Sequence, residues 1–190
     1  ILIIADEFAN PKFVAADLIS QAEHDESAAA VLVTDSETLL AKVLLELESQ
    51  VLATKHSKRI TDALSGQQSA LILVDSIEQA IMVANYYATE HLEIMVSEPN
   101  SVLPKISNAG AIFLGDYSPV SLGDYLAGSN HVLPTGASAK FSSGLGVHTF
   151  LRPQQIINYS KDALQEQVQS LPLFADAEDL PAHGEAVLKR

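Results

Sequence analysis

Five short apolar runs, at residues 1–5, 30–34, 70–74, 92–96 and 111–114, divide the first 114 residues, and none is joined to the next by a hairpin signal. A short continuous run rich in Ile, Val and Leu, without polar alternation, marks a strand buried on both faces. Between the runs lie stretches with helical spacing of apolar residues. Parallel strands need crossovers of a dozen or more residues, which helices fill, whereas antiparallel neighbours need only a tight turn. The pattern therefore predicts successive βαβ units in a doubly wound parallel sheet, an α/β fold.

The intervening stretches carry their own start signals. Asn10-Pro11 offers an N-cap and an N1 proline for a helix reaching about residue 24, with Phe13, Val14, Leu18 and Ile19 inward. Ser36 caps a long amphipathic helix with Leu39, Leu40, Val43, Leu47 and Val51 on its apolar side. A basic helical segment around residues 56–59 ends near Gly66, Ser76 caps a helix over residues 77–87, and a short helix is expected at 102–106. Beyond residue 114 the character changes: six of the nine glycines (Gly115, Gly123, Gly128, Gly136, Gly144 and Gly146) fall within 32 residues. That predicts a loop-rich segment, and long loops in compact domains tend to carry function. From residue 147 the chain becomes helical again, notably at 161–170 and from 181 onward. The expected division is an α/β domain at 1–146 and a helical tail at 147–190.

Composition excludes several classes. With 47% hydrophobic residues and a mean hydropathy of +0.16 the chain can bury a core and is not a disordered segment. No apolar run approaches the roughly 20 residues of a membrane helix. A net charge of −13 repels phosphate backbones, which argues against nucleic acid as a partner. The absence of cysteine removes disulfide and thiol chemistry. A cytoplasmic location fits. A strand-like run at residue 1, without a leader, suggests a chain that opens in mid-fold.

Four places could carry chemistry. Gln21 and His24 stand three apart near the end of the first helix, and both can donate to a borderline metal; on spacing alone, a solvated helix end accounts for them better. Glu90-His91 places two proton-transfer groups beside a strand end, where α/β sheets often put their sites, though two surface groups are about equally consistent. The glycine-rich segment contributes Asp124, a hard oxygen donor, and His131; a Gly-Asp pair also serves ordinary turns. Glu178 and His183 lie five apart across Pro181, where a capped terminal helix would suffice. His56 and His148 lack convergent company.

Taken together these motifs resemble one family. The strings LISQAEHDE, ATEHLE, NAGAIFLGDYSP, GDYLAGSNHVLPTG and EDLPAHGE stand in the order and approximate spacing found in histidinol dehydrogenases, and the resemblance covers essentially the whole chain. It implies an incomplete Rossmann-like, aldehyde-dehydrogenase-like sheet followed by a dimerisation tail. It implies zinc held by Gln21, His24, Asp124 and His183, and a catalytic pair Glu90 and His91. Substrate contacts would come from His131 and Glu178, with His91 and the zinc ligands also meeting substrate. Thr89 stands where the family usually has proline, Asp179 where glycine is common and Lys140 where arginine is usual; none of these removes a ligand or catalytic side chain. The family chain is over twice as long, so an N-terminal half carrying most NAD contacts and a substrate-contacting serine would be absent here.

The implied chemistry is the two-step, NAD-linked oxidation of L-histidinol to L-histidine, in histidine biosynthesis, by a homodimer whose tail is swapped between subunits. His91 would be the base for both hydride transfers, Glu90 would activate water for the intermediate aldehyde, and zinc would orient the substrate. The 190 residues alone would be inactive without the NAD-binding half. Two rival classes remain at this stage. A zinc-dependent hydrolase would turn over without NAD, and a non-catalytic metal-binding or oligomerisation module would not turn over at all.

Overall fold

Strand β1 (Leu2–Ala5) is buried along its whole length and has a parallel neighbour on each side. Around it lie β2 (Val31–Thr34), β3 (Ala70–Leu73), β4 (His91–Met95) and β5 (Ala111–Leu114), in the order β3-β2-β1-β4-β5. All four pairings are parallel, with Ile4 level with Val33 on one side and Ile94 on the other. This computed structural model describes all 190 residues, which form two compact units, Ile1–Phe150 and Leu151–Arg190.

The strands form where the apolar runs predict, because a strand inside a parallel sheet must be apolar on both sides. On one face Ile3, Ala5 and Leu32 pack with Val14 and Leu18 of α1 (Pro11–Ala22), Leu39 and Val43 of α2 (Glu37–Ala53), and Ile60 of α3 (Ser57–Leu64). On the other, Leu2, Ile4, Val33, Leu92 and Ile94 pack with Ala80, Ile81 and Ala84 of α4 (Ile77–Tyr87) and Val102 of α5 (Pro99–Val102). The helices change face where the strand order reverses beside β1, as right-handed crossovers require. Truncating one fully buried side chain of β1, such as Ile4→Ala, removes about 2–5 kcal/mol. No helix is long and apolar enough to cross a membrane.

The N-caps at Asn10, Ser36 and Ser76 form as their residue types dictate, each side chain accepting a backbone N–H of the first turn. Several boundaries differ from expectation. Helix α1 ends at Ala22, so His24 lies in the turn beyond it. Phe13, expected inward, is 37% exposed. Strand β4 begins one residue earlier than its apolar run, which takes His91 into the sheet. The helix expected at 102–106 is α5, placed earlier, followed by a 3-10 turn at Leu103–Lys105. Within the glycine-rich stretch a helix forms, α6 (Val120–Tyr125), because Pro119 starts it and Gly123 is needed for packing rather than for a turn. A Cβ on Gly123 would sit 2.5 Å from Phe113 Cε1.

The second unit holds α7 (Lys161–Gln165), α8 (Leu171–Ala177) and α9 (Pro181–Leu188). Helices α8 and α9 pack closely where Gly184 meets Pro172 and Ala175. The turn between them passes through Asp179 at φ +59°, a left-handed conformation that Asp tolerates better than most side chains do.

Candidate functional site

The amino ends of the strands, rather than their carboxyl ends, gather the candidate residues. Helix α1 runs back across the sheet and delivers Gln21 in its last turn and His24 just after it, on a turn closed by His24 N–H donating to Gln21 O. Helix α4 ends at Ala88 in a left-handed cap (φ 53°, ψ 58°), and the chain then passes through Thr89 and Glu90 into β4 at His91. Two contacts fix that entry: Thr89 Oγ1 donates to His91 O at 3.1 Å, and Ala111 N donates to Glu90 O at 2.9 Å. Gly110 is needed there, since a Cβ on it would lie 2.6 Å from Glu90 O. Helix α6 supplies Asp124, and the loop after it supplies His131.

Gln21, His24, Glu90, His91, Asp124 and His131 therefore line one pocket of about 350 Å3, together with Asp25, Ser27 and Ala28. Six residues from four segments, separated by up to 110 positions in sequence, share this space. A larger cavity of about 620 Å3, bordered by Leu44, Leu47, Val51 and Leu64, is apolar and offers only Glu48 as an ionisable group. The smaller pocket gathers the ionisable and metal-donor groups. Glu178, at the end of α8, and His183, in α9, belong to the second unit and are both exposed.

At the pocket floor is His91, 7% exposed. Its Nδ1 lies 4.0 Å from Glu90 Oε2 and its Nε2 lies 3.9 Å from Asp124 Oδ1, so neither nitrogen makes a hydrogen bond. Burial pushes the imidazole down, against the opposing pull of the Asp124 carboxylate, and keeps it neutral near pH 7. Glu90 is pushed up, first by burial and then by repulsion from Asp124, with His24 and His131 opposing. The result is a neutral, desolvated proton acceptor between two carboxylates, its ring tilted against Phe113 at 6.0 Å.

No three His, Asp or Glu side chains are drawn close enough to enclose a metal ion. The donors nevertheless suit a borderline dication: an amide oxygen, an imidazole and a carboxylate line one pocket that no Lys or Arg enters. Beneath the pocket is a feature missed in the sequence. Glu93, two residues along β4, is 1% exposed, and Asp17 of α1 acts on it. The signal was an acid inside an otherwise apolar strand run.

These features define an α/β protein with imidazole, carboxylate and amide groups gathered at the amino edge of a parallel sheet. The chain belongs to the histidinol dehydrogenase family, whose family model matches residues 1–190. It is 55% identical over 190 residues to the histidinol dehydrogenase of Leifsonia xyli subsp. xyli, covering 100% of this chain and 44% of that protein. It is 57% identical over 190 residues to that of Thermobifida fusca, covering 43% of it. The crystal structure of histidinol dehydrogenase from Elizabethkingia anophelis superposes with a TM-score of 0.91 at 39% identity, over 98% of this chain and 42% of that one. The chain thus spans less than half the length of the relatives it matches.

Proposed function

We propose that the protein containing this chain is a histidinol dehydrogenase that oxidises L-histidinol through the aldehyde to L-histidine, with two NAD molecules reduced per turnover. The observation that carries this is His91: a neutral, buried imidazole with both nitrogens unpartnered, between Glu90 and Asp124, in a member of this family. An alcohol oxidation needs such a group, because a base held neutral near pH 7 can take the hydroxyl proton as hydride leaves.

His91 accepts the alcohol proton while hydride passes to NAD, giving the aldehyde. Glu90, whose affinity for protons is raised, takes a proton from water as that water adds to the aldehyde carbon, and His91 returns its proton to the aldehyde oxygen, which completes the diol and leaves the imidazole neutral again. His91 then accepts a proton from the resulting diol as the second hydride leaves, giving the carboxylic acid, which ionises to the carboxylate. Gln21, His24 and Asp124 would hold zinc with His183, and the metal would supply a fixed point for the substrate's nitrogens. His131 and Glu178 would meet substrate. The strand order supports a Rossmann-like assignment of the sheet, and the further length of the relatives leaves room for the NAD contacts. We also propose a homodimer in which His183 completes the zinc site of the other subunit, since exchange of a terminal helical unit is a low-cost route to a dimer.

The test is to incubate the complete, zinc-loaded protein with L-histidinol and NAD, following NADH by absorbance and histidine by chromatography. Two NADH per histidine are expected. Histidinol left unoxidised would refute the proposal, and turnover of ester or amide substrates without NAD would favour a hydrolase.

A further inference from the structure

Three elements carry the pocket's central residues: α1 with Gln21, β4 with His91 and α6 with Asp124. Each also carries one member of a buried polar cluster. Asp17 is one helical turn before Gln21, Glu93 is two residues after His91 on the same face of β4, and Val120 is one turn before Asp124. Residues four apart on a helix, or two apart on a strand, are stacked neighbours. The cluster therefore repeats the pocket one layer down.

Glu93 is at its centre. Its Oε1 accepts the Val120 backbone N–H at 3.1 Å, across 27 positions of sequence. Its Oε2 is fully buried and has no hydrogen-bond partner. Leaving a buried carboxylate oxygen unpaired costs several kcal/mol. Asp17 is the carboxyl that acts on Glu93, and one proton held between the two would give Oε2 its partner.

We infer that Glu93 and Asp17 are positioning residues, a carboxyl pair that ties α1, β4 and α6 together beneath the pocket and so sets the spacing of Gln21, His91 and Asp124. Neither touches substrate. The proton resides on Glu93, whose burial pushes it up to about 9, so a neutral acid donates to Asp17 while its carbonyl oxygen accepts from Val120. Glutamine has the same shape and the same donor and acceptor, and should replace it. Leucine fills the space but leaves the Val120 N–H and the Asp17 carboxyl unpaired.

The test compares wild type, Glu93→Gln, Glu93→Leu and Asp17→Ala in the complete protein, with folding checked by circular dichroism. Zn2+ alone is titrated against a chromophoric chelator, and hydrogen–deuterium exchange is followed in the peptide at residues 116–126. The zinc measurement rests on the proposed ligand set; the exchange measurement does not. Glu93→Leu and Asp17→Ala should weaken zinc about 10–100-fold, the usual effect of removing a group that orients ligands. Glu93→Leu should also speed exchange around Val120, while Glu93→Gln stays near wild type in both. If Glu93→Leu does not fold, Asp17→Ala decides the zinc outcome, because alanine suits a partly buried helix position. Wild-type zinc affinity in Glu93→Leu or Asp17→Ala would overturn the inference, as would a glutamine variant as defective as the leucine one. If wild type binds no zinc, the functional proposal fails and the exchange comparison alone decides the positioning role.

Discussion

Replacing Glu93 by glutamine should change how stability depends on pH, and the structure fixes the sign. Burial raises Glu93 from 4.5 to about 9 in the folded chain and raises Asp17 from 3.8 to about 6. A group whose folded value exceeds its unfolded one stabilises fully below the unfolded value, and that contribution is lost as pH rises through the folded value. Asp17 retains only a small remainder of its contribution at pH 6, so between pH 6 and 8 the Glu93 contribution dominates. One proton taken up on folding is worth about 1.4 kcal/mol per pH unit, so wild type should lose up to about 2.7 kcal/mol across that window through Glu93. The glutamine variant cannot ionise at this position and is spared this loss. Urea denaturation followed by circular dichroism at pH 6, 7 and 8 would give both curves. The variant should gain on wild type steadily as pH rises. Parallel curves would mean that Glu93 is ionised in the fold, and the shared-proton account would be wrong.

Other outcomes follow from the same geometry. Glu90→Gln should slow aldehyde oxidation far more than alcohol oxidation, by roughly the 10^2–10^4-fold of a lost general base, measured by supplying each intermediate separately; equal losses would contradict the division of labour with His91. An inactive protein bearing His183→Ala, co-refolded with one bearing Asp124→Ala, should regain activity if His183 serves the other subunit, and no recovery would place ligation within one chain. Ala88→Gly should raise thermal stability by about 1 kcal/mol, because the left-handed cap at φ 53° strains any side chain with a Cβ. Gly110→Ala should cost about 1–3 kcal/mol and lower activity, since the new methyl drives against the Glu90 carbonyl; a neutral result in a melting curve would show that this strand junction can move.

The strands were legible in the sequence because a parallel sheet leaves no polar face to confuse the pattern. Where the structure departs, a different force decides. His91 joins β4 although it is polar, because the ladder to Ala111 extends the strand one residue past its apolar run. Helix α6 was hidden because a glycine marks a turn by propensity, whereas Gly123 is there to let Phe113 approach. The left-handed Ala88 gave no signal at all, since no Gly or Asn announced it. The pocket itself could not be read from local spacing: Gln21 and Asp124 meet through the winding of the sheet, and only the combined motifs pointed to their partnership.

The choice of sheet edge also fixes the polarity of the guest. In a parallel α/β unit the helices run opposite to the strands, so the carboxyl edge is ringed by helix starts with a partial positive charge, suited to phosphates and other anions. The pocket lies at the other edge, where α1 and α4 end and their summed peptide dipoles present partial negative charge. Neither helix carries a basic residue in its last turn to cancel that charge. With Glu90 and Asp124 added, the backbone and the side chains attract the same sign. A dication or an ammonium group at this edge would be favoured by the direction of the helices as well as by the side chains that line it.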